Sequence, residues 1–143
     1  MSESLFVTCS ACGAKNRIPA AKLSESPKCG KCKDLVFANS VIELTDQNFQ
    51  RFIQNNDMPV VVDFWASWCG PCQNFAPVFQ QASSQFFNKV RFVKVNTELA
   101  QQTSAQYGIR SIPSLLVFKN GKELTRQAGA LDQTSFIRWV SQF

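Results

Sequence analysis

Three Cys-x-x-Cys pairs constrain this chain more than any other feature: Cys9/Cys12, Cys29/Cys32 and Cys69/Cys72. The spacing suits either a metal knuckle or a redox dithiol, so the surroundings of each pair must decide its chemistry. Sixteen residues separate the first pair from the second, which fits a four-thiolate zinc site built of two knuckles. Cys9, Cys12, Cys29 and Cys32 are therefore the expected metal ligands, with Gly13 and Gly30 supplying turn conformations. Two disulfides are the weaker alternative. The linker, GAKNRIPAAKLSESPK, holds few large apolar residues. A segment of this size buries too little surface to fold without a staple. Four protein ligands close the site to catalysis, so one structural zinc per chain is expected.

Histidine is absent from all 143 residues. That excludes histidine-dependent triads, Cys-His nucleophile pairs and mixed Cys/His metal sites, leaving thiols and carboxylates for any chemistry. Hydrophobic residues make up 45% of the chain and include 13 phenylalanines, a composition that supports a packed core. The N-terminus MSESLFVTCS lacks the basic and apolar regions of a signal peptide, and no segment is long enough for a membrane span. A cytoplasmic protein is expected, with no membrane partner. The net charge of +5 divides into six Lys/Arg against three Asp/Glu in residues 1–38 and nine against seven in residues 39–143. Neither part is a polybasic tract, and aromatic residues interleaved with basic ones are scarce in the first. Nucleic acid is not expected as a partner.

From Ser40 onward, apolar runs alternate with helical patterns, predicting an α/β fold. VVVDFW at 60–65, VRFVKV at 90–95 and SLLVF at 114–118 read as strands. Asn120-Gly121 then turns the chain into ELTRQAG, a hairpin that makes the sheet mixed. Thr45-Asp46 is expected to cap a helix carrying Phe49, Phe52 and Ile53. Phe75, Val78, Phe79, Ala82 and Phe86 mark one face of a helix that contains Pro77. Leu131-Asp132 opens a last helix.

Cys69 and Cys72 thus fall between a buried strand and a helix. Free backbone N–H groups and the positive end of the helix dipole favour a thiolate at Cys69, and Pro71 is tolerated in the first turn. Cys69 is the expected nucleophile, and the less exposed Cys72 resolves the mixed disulfide. The Gly70-Pro71 insert brings no positive charge, so the oxidised pair is comparatively favourable and the dithiol acts as a reductant. A lone Asp63 amid VVV-FW is costly to bury unless it is paired or functional.

The stretches VVVDFWASWCGPC, RFVKVNTE, YGIRSIPSLLVFKNG and the later AGA resemble the thioredoxin family over about residues 39–143, and the four-cysteine extension is similar to the zinc-binding second type of bacterial thioredoxin. The resemblance implies a zinc-ribbon-like module at residues 1–38 followed by a thioredoxin fold at residues 39–143, and protein-disulfide reduction. It also implies an NADPH-dependent thioredoxin reductase as electron donor, a monomer, and no bound organic cofactor. By position it makes Asp63 a proton acceptor for Cys72 and Lys94 its charged neighbour; a structural Asp63–Lys94 ion pair is the alternative. It makes Pro113 the cis-proline facing the dithiol. Trp68, Gly70, Pro71, Ile112 and Gly129 fall with it on the substrate surface, while Trp65 is assigned to the core. Two residues depart from the family pattern, Gln73 in place of Lys or Arg and Ser114 in place of Thr. They bear on redox potential and partner surface, not on reaction type. Two other functions fit the same segments: a redox sensor working through the zinc thiolates, and a binding module using the fold as scaffold.

Overall fold

The computed structural model describes residues 3–38 and 40–143. The expected boundary between the two segments falls at residue 39, outside the described residues. Strands β1 (Ser4–Thr8) and β2 (Lys15–Pro19) pair antiparallel in the N-terminal segment, followed by a short 3-10 turn at Ala20–Lys22. The remaining elements are β3 (Val41–Leu44), α1 (Phe49–Gln54), β4 (Val60–Trp65), α2 (Gly70–Gln85), β5 (Arg91–Asn96), α3 (Gln101–Gln106), β6 (Ser114–Lys119), β7 (Lys122–Ala128) and α4 (Gln133–Val140). They form a five-stranded sheet in the order β3-β5-β4-β6-β7. β3, β5 and β4 run parallel; β6 and β7 run antiparallel to their neighbours. This is a mixed sheet flanked by helices, the thioredoxin fold, with a small two-stranded domain before it.

Strand periodicity sorts the core. Side chains alternate between the two faces of a strand. Val60, Val62 and Phe64 join Phe49, Phe52, Ile53, Val93 and Val95 on the α1 side. Val61 joins Phe75, Phe79, Phe92, Leu115 and Phe136 on the α2–α4 side. Aromatic packing is dense on that second face, where Phe136 lies 5.0 Å from Phe75 and Phe79 lies 5.1 Å from Phe92, both edge-on between ring centroids. Because Val41, Val61 and Phe92 face α2 and α4, the same parity puts Glu43, Asp63 and Lys94 on that face too.

Local chemistry sets the element ends. Asn120 and Gly121 adopt φ values of 53° and 82°, the left-handed pair that a two-residue hairpin requires. The Asp132 carboxylate accepts from Ser135 N at 2.8 Å and caps α4. α2 continues through Pro77. The expected cap of α1 is displaced: the N-cap residue is Asn48. Asp46 is drawn to another element, accepting from Thr103 N at 2.8 Å and Thr103 Oγ1 at 2.7 Å. A cap three residues from its helix could not win that competition locally.

The N-terminal domain docks on the α1–β4 connection. Phe6 N donates to Asp57 Oδ2 at 2.7 Å and Asp57 N returns a bond to Phe6 O at 2.9 Å. Thr8 N donates to Asn56 Oδ1 at 3.0 Å, and Asn56 Nδ2 donates to Thr8 Oγ1 at 3.0 Å. Met58 completes a small core with Val7, Cys9, Ile18, Cys29, Val36 and Phe37.

Candidate functional site

Cys69 caps α2, and Cys72 lies one turn inside it, with Pro71 in the first turn. The two are joined as a disulfide with a Cα–Cα separation of 5.2 Å. Cys72 N donates to Cys69 Sγ at 3.2 Å, so the first sulfur sits where the helix directs an otherwise unpaired N–H. Cys69 and Cys72 are both buried in this oxidised form, at 4% and 3% exposure.

The neighbouring loops bring the other predicted surface residues to the same end of the sheet. Cys69 Sγ lies 3.8 Å from the carbonyl oxygen of Ile112. The Ile112–Pro113 peptide bond is cis, and Gly129 N donates to Pro113 O at 2.9 Å. Trp68 is 72% exposed, Gly70 and Pro71 are exposed beside it, and Trp65 is half-buried against Ala66, Cys69 and Cys72. An exposed, partly apolar rim around a largely covered disulfide suits a polypeptide better than a small molecule, which binds in a concave pocket.

Gln73 and Ser114 acquire local roles that the sequence did not show. Gln73 Nε2 donates to Ser67 O at 2.7 Å, while Glu98 Oε1 accepts from Ser67 N at 2.8 Å and from Ser67 Oγ at 2.7 Å. The residues before Cys69 are thus held from both sides. Ser114 Oγ donates to Ser111 O across the turn preceding β6.

Asp63 has 0% exposure, and among the described residues neither of its carboxylate oxygens has a hydrogen-bond partner. Its register partner on β5 is Lys94, whose own partner on β3 is Glu43. Lys94 Nζ stands 4.7 Å from the centroid of the Trp65 ring. No contact ion pair joins Asp63 and Lys94 among the described residues. Burial pushes the Asp63 carboxyl up to about 7; the Lys94 charge opposes this and the Glu43 charge adds to it. A carboxyl poised there can hold or release a proton near neutral pH.

Cys9, Cys12, Cys29 and Cys32 converge, with their sulfurs all within 4.8 Å of one another. Cys9 and Cys32 Sγ are 3.7 Å apart, and Cys12 and Cys29 Sγ 3.6 Å apart. Zn–S bonds of about 2.3 Å in a tetrahedron put sulfurs about 3.8 Å apart, so the cluster fits that ion. The knuckles repeat each other bond for bond. Gly13 N donates to Cys9 O and Lys33 N to Cys29 O, both at 3.0 Å; Ala11 N donates to Cys9 Sγ and Lys31 N to Cys29 Sγ, both at 3.3 Å. The left-handed residue follows the second cysteine each time, Gly13 at φ 78° and Lys33 at φ 70°. The expectation for Gly30 is corrected accordingly: its N–H instead donates to Asn16 Oδ1 at 2.9 Å. Within the cluster the Cys32 N–H and the Asn16 amide pull the Cys29 thiol down, while Cys32, despite a bond from the Asp34 N–H, is pushed up by burial and by the neighbouring sulfurs of Cys9, Cys12 and Cys29.

Residues 40–142 match the sequence pattern of the family described as Thioredoxin. The chain belongs to the thioredoxin family. Residues 8–34 match a second pattern, described as Thioredoxin 2, N-terminal, a zinc ribbon. Thioredoxin C-3 of Corynebacterium nephridii is 42% identical over 138 residues, covering 96% of this chain and 94% of its own. Thioredoxin of Haemophilus influenzae is 42% identical over 104 residues, 73% of this chain and 97% of its own. Thioredoxin 1 of a Nostoc species is 43% identical over 97 residues, 68% and 91% respectively. As a thioredoxin, the protein is a thiol-disulfide oxidoreductase with Cys69 and Cys72 as its redox pair. No helix among the described residues is long and apolar enough to cross a membrane.

Proposed function

We propose that this thioredoxin is a cytoplasmic, monomeric protein-disulfide reductase with a zinc-held module at residues 1–38 and a catalytic domain at residues 39–143. In the reduced form the Cys69 thiolate attacks one sulfur of a substrate disulfide. A Cys69–substrate bond forms, the substrate S–S bond breaks, and the departing sulfur leaves as a thiolate. Cys72 then gives its proton to Asp63 and attacks Cys69 Sγ; the Cys69–Cys72 disulfide closes, the Cys69–substrate bond breaks, and the second substrate sulfur leaves as a thiolate, the two thiolates taking their protons from Asp63 and from water. Two electrons pass to the substrate, and an NADPH-dependent thioredoxin reductase restores them.

The observation that carries this reading is the Cys69–Cys72 pair at the N-terminus of α2, on the sheet face that also carries the unpartnered Asp63. Lys94 holds a positive charge opposite Asp63. Trp68, Gly70, Pro71, Ile112, Pro113 and Gly129 form the surface against which the substrate chain lies, and Ile112 O is in reach of Cys69 Sγ. Cys9, Cys12, Cys29 and Cys32 would hold one zinc per chain, which would supply folding free energy to a small domain and, with all four ligands from the protein, would take no part in the dithiol chemistry. No organic cofactor takes part.

The test is NADPH-coupled reduction of a disulfide-bonded protein such as insulin by the wild type and by Cys69→Ser. Turnover should vanish with the substitution, and equal rates would overturn the reading.

A further inference from the structure

Arg91 is the one charged residue of the β5 run RFVKVN that the dithiol chemistry does not use. It opens the strand, is 3% exposed, and packs on the α1 side, with its guanidinium carbon 5.0 Å from the Phe37 ring centroid and 5.2 Å from that of Phe52. Nη1 donates to Thr8 O at 2.8 Å and to Asn56 Oδ1 at 3.1 Å, while Nη2 has no partner among the described residues. The ion pair found among those residues is Glu123–Arg126, so no carboxylate answers Arg91. Burial disfavours its charged form and lowers its pKa to about 9. A buried cation between two rings, with one nitrogen bonded and the other orphaned, is strongly unfavourable unless an anion lies nearby.

The place of Arg91 in the chain path identifies that anion. Thr8, whose carbonyl takes Nη1, is bonded directly to Cys9, itself buried in the same small core as Phe37. Four thiolates around one divalent cation carry a net charge of −2. We propose that Arg91 is the buried counter-ion of the four-cysteine metal centre, so that a side chain from the catalytic domain sets the affinity of the module for its metal. The neighbouring amide Asn56 orients both partners at once, accepting from Thr8 N and from Arg91 Nη1. Such outer contacts commonly govern how tightly a metal is held. The inference rests on the zinc reading given above, and it adds a role for the docked pair of domains: metal binding is completed across their seam.

The experiment is competition for zinc between a chromophoric chelator and the reduced full-length chain, comparing wild type with Arg91→Gln and Arg91→Lys. Gln keeps an N–H for Thr8 O but no charge; Lys keeps the charge. Arg91→Gln should bind zinc about 10- to 100-fold more weakly, the usual range for an outer-shell loss, and Arg91→Lys should recover most of that. Dithiol turnover in the same samples reports that the catalytic domain is folded. Should Arg91→Gln fail to fold, Arg91→Met replaces it under the same expectation, because its unbranched apolar chain fills the slot and leaves no polar group to satisfy. Wild-type affinity in the uncharged variant overturns the counter-ion role. So does an equal loss in Arg91→Lys and Arg91→Gln, which would trace the effect to guanidinium shape. A wild type that takes up no zinc overturns the zinc reading itself.

Discussion

Asp63 and Lys94 stand in register on neighbouring parallel strands, yet no contact ion pair joins them, and both oxygens of the fully buried Asp63 lack a hydrogen-bond partner among the described residues. A structural ion pair would close that gap. The open arrangement leaves a carboxyl raised to about 7 by burial, from a value of 3.8 when unfolded. Because the folded pKa is raised, the folded state keeps a proton that the unfolded state has lost between those pH values. Its stability contribution is full below pH 3.8 and declines as pH rises through 7. Asp63→Asn, which has no proton to lose, should therefore be more stable than wild type, and the advantage should grow by about 3 kcal/mol between pH 5 and pH 8.5. Urea unfolding of the oxidised protein at the two pH values measures it; an advantage that does not change with pH contradicts it.

Glu43 extends the same row. On β3 it stands in register with Lys94 of β5, and its charge helps to raise the Asp63 carboxyl. Glu43 is itself raised by burial, with Lys94 pulling the other way. Glu43→Gln should lower the Asp63 pKa and move the pH at which stability declines to a more acid value. The midpoint of that decline, or carboxyl titration by infrared difference spectra, reads the shift; a move toward alkaline pH is the contrary result.

Gln73 offers a test of the dithiol's tuning. Its amide holds Ser67 O and brings no charge to the mouth of α2. A lysine there would add a positive charge beside the Cys69 thiolate and favour it. In reduced Gln73→Lys, the pH midpoint of Cys69 alkylation should fall below that of wild type, at a stability cost of about 1 kcal/mol for the lost hydrogen bond. An unchanged midpoint would show that the charge does not reach the sulfur.

Removing one metal ligand should separate the two domains' dependence on zinc. Cys29→Ser leaves three sulfurs where four converge. Zinc content per chain should drop from one toward zero, and the melting midpoint should fall by at least about 4 °C, the shift that roughly 1–2 kcal/mol produces in a chain of this size. Dithiol turnover should continue, because the two large cores of the sheet contain no residue of the module. Elemental analysis, calorimetry and an insulin assay on one preparation check all three.

Much of the fold was legible because local signals agreed. VVVDFW is an unbroken apolar run around one carboxylate, and it is β4 from Val60 to Trp65 as expected. Asn120-Gly121 announced the β6–β7 hairpin through backbone chemistry alone. β1 and β2 were not legible: KNRIP is charged or polar in its first three positions and apolar only at Ile18 and Pro19, with no alternation to distinguish it from the polar linker around it. Sequence spacing also could not show that Asp46 would serve α3, or that the second knuckle would turn at Lys33. The convergence of four cysteines was readable from spacing, but the seam of Thr8, Asn56 and Arg91 was not. An arginine at the start of a strand ordinarily sends its charged head to water, and only the docked module turns this one inward.

The central claim is that Cys69 attacks and Cys72 resolves. Incubating Cys72→Ser and Cys69→Ser, each reduced, with a disulfide-bonded protein and weighing the products tests it most directly. The account predicts that Cys72→Ser accumulates a mixed disulfide through Cys69, because no second thiol is left to release it, and that Cys69→Ser accumulates none. A stable adduct on Cys72 in Cys69→Ser, with none on Cys69 in Cys72→Ser, would contradict it.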